Sequence, residues 1–448
     1  MTSPSANTSG VESRSGNLRA AIDAGEMTRL QWIAVAMCTA LNALDGFDVL
    51  VIAFTSSYII KDWGLTGTQF GLLASAGLFG MAAGSLFLAP WADRFGRRAI
   101  ILFCLVLMTA GMLLSATAQT PSQLFWLRVL TGIGIGGLLA SIGVITAEYS
   151  SAKLRGTNVS IQATGYPVGA TFGGLIASVL IEQYGWRSAF VFGGLVSLAM
   201  IPLVLRWLPE SMDFLIARRP PSALERLNSL LRRMGRGEVG ELPAQTATET
   251  EVSGNVLRGL RRLFAAGTAR STLFLWSSFF LLMFSFYFIM SWTPRLLEVA
   301  GLSAQQGIQA GVWMNAGGIV GGSLFAALAA RYQLSKLTSA FLMLTAAATI
   351  LFAFVLGEVI PAFLVAVAIG MLLVASMAGL YSLAPVLYPA SVRTTGVGWG
   401  IGIGRIGAIL APTIAGMLGD TGWTTMQLYL AFALPLLGAS VTAAALRK

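Results

Sequence analysis

The sequence predicts an all-α membrane protein of twelve transmembrane helices, arranged as two pseudo-symmetric six-helix bundles. Three observations carry that prediction. Of 448 residues, 56% are hydrophobic and only 11% are charged, with a mean hydropathy of +0.75. A soluble domain carries about 25% charged residues, so this chain has too few to coat a water-facing surface. Apolar runs close to the ~20 residues that cross a bilayer recur twelve times, and one long polar break divides them into six and six.

The runs follow in order. Residues 1–28, rich in Ser, Thr, Asn and Gly, read as a mobile tail. The first span, 30–54, is too long and too far from the start for a cleaved signal. Spans two to six cover 69–91, 99–118, 122–146, 159–181 and 187–207. Residues 208–270 form the polar break, with Pro220-Pro221 and an Arg-rich stretch; 222–234 reads as an amphipathic helix on the membrane surface. Spans seven to twelve cover 271–294, 306–330, 336–356, 360–385, 395–418 and 425–446. The expected units are therefore an N-terminal tail (1–28), a first bundle (29–207), an interdomain loop (208–270) and a second bundle (271–446).

Charge placement sets the orientation. With the N-terminus inside, 24 of the 29 Lys and Arg fall on the cytoplasmic side and only Lys61, Arg187 and Arg295 outside. Cytoplasmic loops carry the excess of Lys and Arg, so both termini are expected in the cytoplasm and the protein in the cell (inner) membrane. The net charge of +10 is then a topology signal and not a nucleic-acid footprint. There is no histidine. That excludes histidine proton relays, His-ligated metals and Ser/His/Asp triads, and no cofactor or enzymatic site is expected. Cys38 and Cys104 sit in separate spans and need no disulfide.

The halves repeat each other. Ala89–Arg98 (APWADRFGRR) after span two is echoed after span eight at an offset of 237, which pairs Arg94 with Arg331 and Phe95 with Tyr332. Glu148–Gly156 echoes Leu387–Gly396 and pairs Arg155 with Arg393. Duplicated six-helix halves with a site between them at mid-membrane are a transporter architecture.

Several residues stand out chemically. Asp45 and Asp48, three apart, share one side of span one, with Asn42 one turn earlier. A charge at membrane depth costs about 2.5–3.5 kcal/mol on insertion scales, and intramembrane acids usually carry function. The bland alternative is an ion pair that locks helices. Arg128, in the outer half of span four, matches Asp48 in depth, which allows either a releasable pair or a static one. Glu148 at the inner end of span four is a second acid candidate, its alternative being a helix-end pair with Arg155 or Arg393. Arg405 lies near mid-membrane in span eleven. Its planar fork matches a carboxylate bidentately; the alternatives are backbone carbonyls, or Asp45 across a cavity. The strings Gly132–Gly137 and Gly402–Gly407 each contain GxGxxG, but no strand precedes either, so close helix packing is the better reading.

These residues resemble those of a known family. Asp93-Arg94-Phe95-Gly96-Arg97-Arg98 and Arg128-Val-Leu-Thr-Gly132 are similar to the two signatures of the major facilitator superfamily. Asp45-Gly46-Phe47-Asp48 resembles the DGxD motif of its aromatic acid:proton symporters, as does Tyr388-Pro389…Arg393-x-Thr395-Gly396…Gly402-Ile-Gly404-Arg405-Ile-Gly407. Three positions depart from the pattern: Ala89 stands for Gly, Ala330 for the acid of the second loop copy, and Ala170 for the Pro of the antiporter signature in span five.

The resemblance implies uptake of a small hydroxybenzoate-like anion with protons, by alternating access, in a monomer. It points to the DGxD acids Asp45 and Asp48 for proton coupling, to which the residues themselves add Arg128 as a releasable partner and Glu148 as a second acid. The substrate carboxylate would meet Arg405. Tyr166, Tyr381 and Trp399, and more weakly Phe288, Trp292 and Trp313, are ring partners, with Gln162 and Asn315 for ring substituents. Asp93, Arg94, Arg97, Arg98, Arg155 and Arg393 are expected at a cytoplasmic latch. A proton-coupled exporter shares the fold; a membrane sensor or a channel is the alternative of a different class.

Overall fold

A computed structural model gives the structure of the protein and describes residues 26–242, 263–264, 269–388 and 390–446. Most of the expected N-terminal tail, parts of the expected interdomain loop and the motif residue Pro389 lie outside the described residues.

Twelve helices are long and apolar enough to cross a membrane. In the first half they are α1 (Arg29–Phe54), α3 (Gly67–Phe87), α5 (Arg97–Ala116), α6 (Pro121–Glu148), α7 (Arg155–Tyr184) and α8 (Arg187–Trp207). In the second half they are α11 (Ala269–Val299), α12 (Ala304–Ala329), α13 (Leu334–Val355), α14 (Val359–Leu387), α15 (Ala390–Asp420) and α16 (Thr425–Ala444). Four shorter helices punctuate them: α2 (Ser56–Trp63), α4 (Ala89–Phe95), α9 (Met212–Arg218) and α10 (Ala223–Arg233).

The short helices mark where sequence reading drew spans differently. The chain bends at Thr55, so α2 is a separate outer extension of the first span. It bends again at Leu88, where Pro90 in the first turn of α4 starts a new helix instead of extending α3. The amphipathic stretch 222–234 is α10, which buries Leu227, Leu230 and Leu231 on one face. Helix α9 was not anticipated; Ser211 caps it by accepting from the Phe214 N–H at 3.1 Å.

The packing repeats itself across the two halves. In the first, α1 packs on α7, α3 on α6, and α5 on α6 and α8. In the second, α11 packs on α15, α12 on α14, and α13 on α14 and α16. The halves meet mainly through two pairs, α3 with α15 and α7 with α12, which one pseudo-twofold operation exchanges. Polar side chains tie helices within a half, as where Ser339 and Ser440 hydroxyls lie 3.0 Å apart; such bonds average a few tenths to about 1 kcal/mol in membranes.

We call the face that holds the interdomain segment basal and the other distal. Among the described residues, every hydrogen bond between the halves lies in the distal part. The Asp420 carboxylate at the end of α15 accepts from the Gly67 N–H (2.6 Å), the Thr68 N–H (2.8 Å) and the Thr68 hydroxyl (2.6 Å) at the start of α3. Ser75 donates to the Ile409 carbonyl at 2.6 Å, and Gln305 to that of Ser178 at 3.3 Å. The Phe70 ring meets Trp292 edge-on at 5.2 Å. The cleft between the halves is thus closed distally.

Asp420 adds a negative charge where the α3 N-terminus presents unpaired N–H groups. Asp420→Ala removes three cross-half bonds at once. It is expected to raise severalfold the rate at which a hydrophilic maleimide labels a cysteine placed at Ser75, now 5% exposed. An unchanged rate would mean that the apolar contacts alone hold the distal closure.

Candidate functional site

The site is built where α1 crosses α7. A β-carbon on Gly46 would overlap the carbonyl of Tyr166, and one on Gly169 would overlap that of Ala43. Only hydrogen at both positions lets the two backbones approach so closely. Asn42 fixes the crossing by donating to the carbonyls of Gln162 (2.7 Å) and Ala163 (3.3 Å). This contact holds the acids of α1 at a set depth against Tyr166 of α7.

Asp45 and Asp48 are 1% and 0% exposed. Asp45 Oδ1 and both carboxylate oxygens of Asp48 have no hydrogen-bond partner. Burying such oxygens unpaired is costly. Each acid faces a different guanidinium. Asp48 interacts electrostatically with Arg128 of α6, inside the first half. Asp45 interacts with Arg405 of α15, across the gap between halves. The two acids of one helical turn thus face guanidiniums from different halves while also interacting with each other.

The sequence reading expected an Asp–Arg128 pair, and the structure makes it differently. Arg128 donates through Nη2 to the main-chain carbonyl of Asp48 at 2.6 Å, not to its carboxylate. Its Nη1 reaches Met112 Sδ at 3.4 Å, and its fork lies over the Phe190 ring at 5.9 Å. The guanidinium sits against the glycine edge of α3 at Gly77. Tight packing on three sides pins the fork to the main chain and leaves the Asp48 carboxylate turned toward Gly193 of α8.

Arg405 is the central residue of the 31-residue α15. Among the described residues its side chain makes no hydrogen bond and no ion pair within 4.0 Å. It lies within electrostatic reach of Asp45, Tyr287 and Tyr381. Tyr166 interacts with Asp45 and Tyr287, and its buried hydroxyl is unpartnered. The arrangement is a guanidinium and a carboxylate facing each other from opposite halves, ringed by three phenols.

The other expected ring partners divide. Tyr381 is 42% and Trp399 40% exposed. Trp399 stacks on Trp276 at 6.1 Å, and Tyr381 meets Phe279 edge-on at 5.6 Å. Phe288 does not belong with them: it stacks on Phe432 at 3.8 Å inside the second bundle, because its helix face turns toward α16. Trp292 is buried in the distal closure, where it donates to the Pro412 carbonyl at 3.0 Å; Trp313 is exposed. Gln162 and Asn315 are both buried. Asn315 donates to the Gly311 carbonyl of its own helix at 2.9 Å.

On the basal face Glu148 is not near the acids of α1. It accepts from the Ser211 hydroxyl (2.9 Å) and the Met212 N–H (3.0 Å), with Arg97 Nε at 3.7 Å. Ser211 and Met212 bring the N-terminus of α9 to the end of α6, so Glu148 gains partners beyond the helix-end pairing expected with Arg155 or Arg393. Arg97 also reaches Asp93 at 3.0 Å, and Arg218 donates to the Asp93 carbonyl at 3.0 Å. Arg98 donates its N–H to Glu210 at 3.0 Å. Arg94 lies over the Phe95 ring at 5.3 Å. Arg155 opens α7 on this face, and Arg393 reaches the Tyr388 carbonyl at 3.4 Å. These contacts of Glu148, Arg97, Asp93 and Glu210 join segments of the first half to one another and to α9.

Tyr287, Trp276 and Asp420 were not anticipated. Tyr287 and Trp276 lie in an aromatic-rich helix, where no spacing distinguishes the cavity face. Asp420 did leave a signal, as an acid at the very end of an otherwise apolar span.

The comparisons with known proteins agree with this architecture. The Major Facilitator Superfamily model matches residues 35–412. The chain is 31% identical to a gallate transporter of Pseudomonas putida, covering 94% of this chain and 92% of that one. It is 31% identical to the 4-hydroxybenzoate transporter PcaK of Pseudomonas aeruginosa (96% and 95%) and 27% identical to a benzoate transport protein of Acinetobacter baylyi (96% and 92%). Among solved structures, the partially occluded inward-open xylose transporter XylE of E. coli superposes with a TM-score of 0.74 at 15% identity, covering 92% and 97% of the two chains. The duplicated six-helix packing, the family match and these relatives lead to one conclusion: the chain belongs to the major facilitator superfamily, a family of transporters rather than enzymes, and is similar along its length to members named for aromatic acids.

Proposed function

We propose that the protein is a monomeric proton symporter that brings a small hydroxybenzoate-like carboxylate into the cell by alternating access. The two bundles, 29–207 and 271–446, rock about the α3–α15 and α7–α12 contacts. The excess of Lys and Arg on the basal face supports a cytoplasmic position for that face in an inner-membrane protein. The observation that most supports this reading is Arg405, a mid-membrane guanidinium that faces Asp45 from the other half without being bonded to it.

The chemistry follows from charge. A charged Asp45 competes with the substrate carboxylate for Arg405. A neutral Asp45 leaves the fork free to take the anion bidentately, while Tyr166, Tyr287 and Tyr381 supply ring faces and hydroxyls. By linkage, proton and anion each strengthen the binding of the other. Substrate affinity should therefore fall as pH rises through the titration of Asp45. Departure of the proton restores the Asp45–Arg405 attraction and expels the anion. Asp48 and Arg128 hold a second charge pair inside the first bundle, and the Glu148–Arg97–Asp93 contacts belong to the basal latch.

The test is uptake of radiolabelled 4-hydroxybenzoate into proteoliposomes. An inward proton gradient is expected to drive accumulation in the wild type. Asp45→Asn, permanently neutral, should lose accumulation while retaining exchange of labelled for unlabelled substrate. Accumulation that ignores the gradient would sink the symport reading; gradient-driven loss of preloaded substrate would reverse the direction.

A further inference from the structure

We propose that a cavity at the basal end of α8 binds the phosphate headgroup of an anionic phospholipid. The cavity has a volume of about 660 Å³ and lies between the end of α8, the start of α5 and α10. Its walls carry four guanidiniums, from Arg98, Arg206, Arg226 and Arg233, against two carboxylates, from Glu210 and Glu225. Glu210 is already engaged: Oε1 accepts from the Arg98 N–H at 3.0 Å and the Ser211 N–H at 2.9 Å. Among the described residues the side chains of Arg206, Arg226 and Arg233 make no hydrogen bond and no ion pair. Arg98 donates to the Leu205 carbonyl, yet its Nε is buried without a partner.

Guanidiniums held together with few acids among them repel one another unless an anion joins them, and a phosphate matches their forked donors. The ligand chemistry is thus a phosphate group, and the surroundings indicate its source. Leu205 and Trp207 line the cavity and are also 53% and 46% exposed on the outside of α8. Above them Leu198, Leu195 and Val191 are exposed on the same helix at helical spacing. An apolar stripe therefore runs along the bilayer-facing side of α8 and ends at the arginines. Acyl chains lie along such a stripe while the headgroup enters the cavity. Basic pockets beside membrane helices take lipid headgroups in this way. A lipid seated there joins α5, α8 and α10, and so ties the interdomain segment to the first bundle.

The experiment is native mass spectrometry of the full chain in detergent, with equal phosphatidylglycerol and phosphatidylcholine of the same acyl chains. Wild type is expected to retain phosphatidylglycerol at least about fivefold over phosphatidylcholine. The triple variant R206Q/R226Q/R233Q should lose that preference, at roughly fivefold in affinity per guanidinium removed. A charge-matched variant elsewhere on the same face, K153Q/R331Q/K336Q, should keep it. Equal retention of the two lipids by wild type, or an unchanged preference in the triple variant, would overturn the site. Displacement by inorganic phosphate at the same concentration would overturn the lipid assignment in favour of a free anion. If the triple variant elutes aggregated, R226Q alone, on the exposed side of α10, carries the test through its fivefold loss.

Discussion

Arg405→Ala is expected to abolish saturable binding and accumulation of 4-hydroxybenzoate while leaving the protein folded. Removing one partner of a desolvated, hydrogen-bonded charge pair costs about 2–5 kcal/mol, roughly thirtyfold or more in affinity. No described hydrogen bond or ion pair within the protein is lost with the side chain, because Arg405 makes none. The thermal midpoint in detergent should therefore stay close to wild type. Arg405→Lys separates charge from geometry. An ammonium keeps the charge but cannot present two parallel donors, so partial binding with weak discrimination between carboxylates is expected. Equilibrium binding by scintillation proximity, with denaturation followed in parallel, checks both. Wild-type binding in Arg405→Ala would remove the guanidinium from the substrate site and leave the fold untouched.

Gly169→Val is expected to have the largest effect on the structure itself. Even the first carbon of a side chain at Gly169 overlaps the Ala43 carbonyl, and the opposing group is backbone, which cannot swing aside. Inserting bulk into a tight packing site costs about 1–3 kcal/mol, occasionally more; with two helix backbones in direct contact the upper end applies. Relief requires α1 to move away from α7, which carries Asp45 and Asp48 with it and breaks the Asn42 bonds to Gln162 and Ala163. Loss of transport and a lowered thermal midpoint should appear together. Gly185→Ala supplies the contrast. Nothing lies within 4 Å of a β-carbon there, so any cost comes only from its positive φ of 78°. If Gly169→Val melts like wild type, the α1–α7 crossing is looser than the overlap of Gly169 with the Ala43 carbonyl requires.

Much of the fold was legible in the sequence because the bilayer simplifies the reading. Every span must be apolar and about twenty residues long, so 30–54 and its eleven successors announce themselves, and Pro220-Pro221 with the arginines marks the division. What failed was local. Thr55 and Leu88 bend helices inside runs that remain apolar, and hydropathy does not register a bend. The site was partly legible: Asp45, Asp48 and Arg405 are conspicuous because a charge in an apolar run is expensive. Their charged counterparts, Arg128 for Asp48 and Asp45 for Arg405, could be named as alternatives from depth alone; the aromatic partners were not legible, since partnership depends on rotation about the helix. Phe288 and Tyr287 are adjacent, yet one stacks on Phe432 and the other approaches Arg405. The partners that Ser211 and Met212 give Glu148 were not legible either, because they arrive from the seven-residue α9, too short to announce itself by periodicity.

The carboxylate of Asp420 takes two of its three hydrogen bonds from main-chain N–H groups. Amides belong to every residue except proline, so ordinary side-chain drift on the α3 side leaves them in place. The Asp420 part of the distal closure is therefore encoded almost entirely by one codon on the α15 side. Selection can reset the resting balance between the two orientations of the cleft through that codon, while the residues that meet cargo stay as they are.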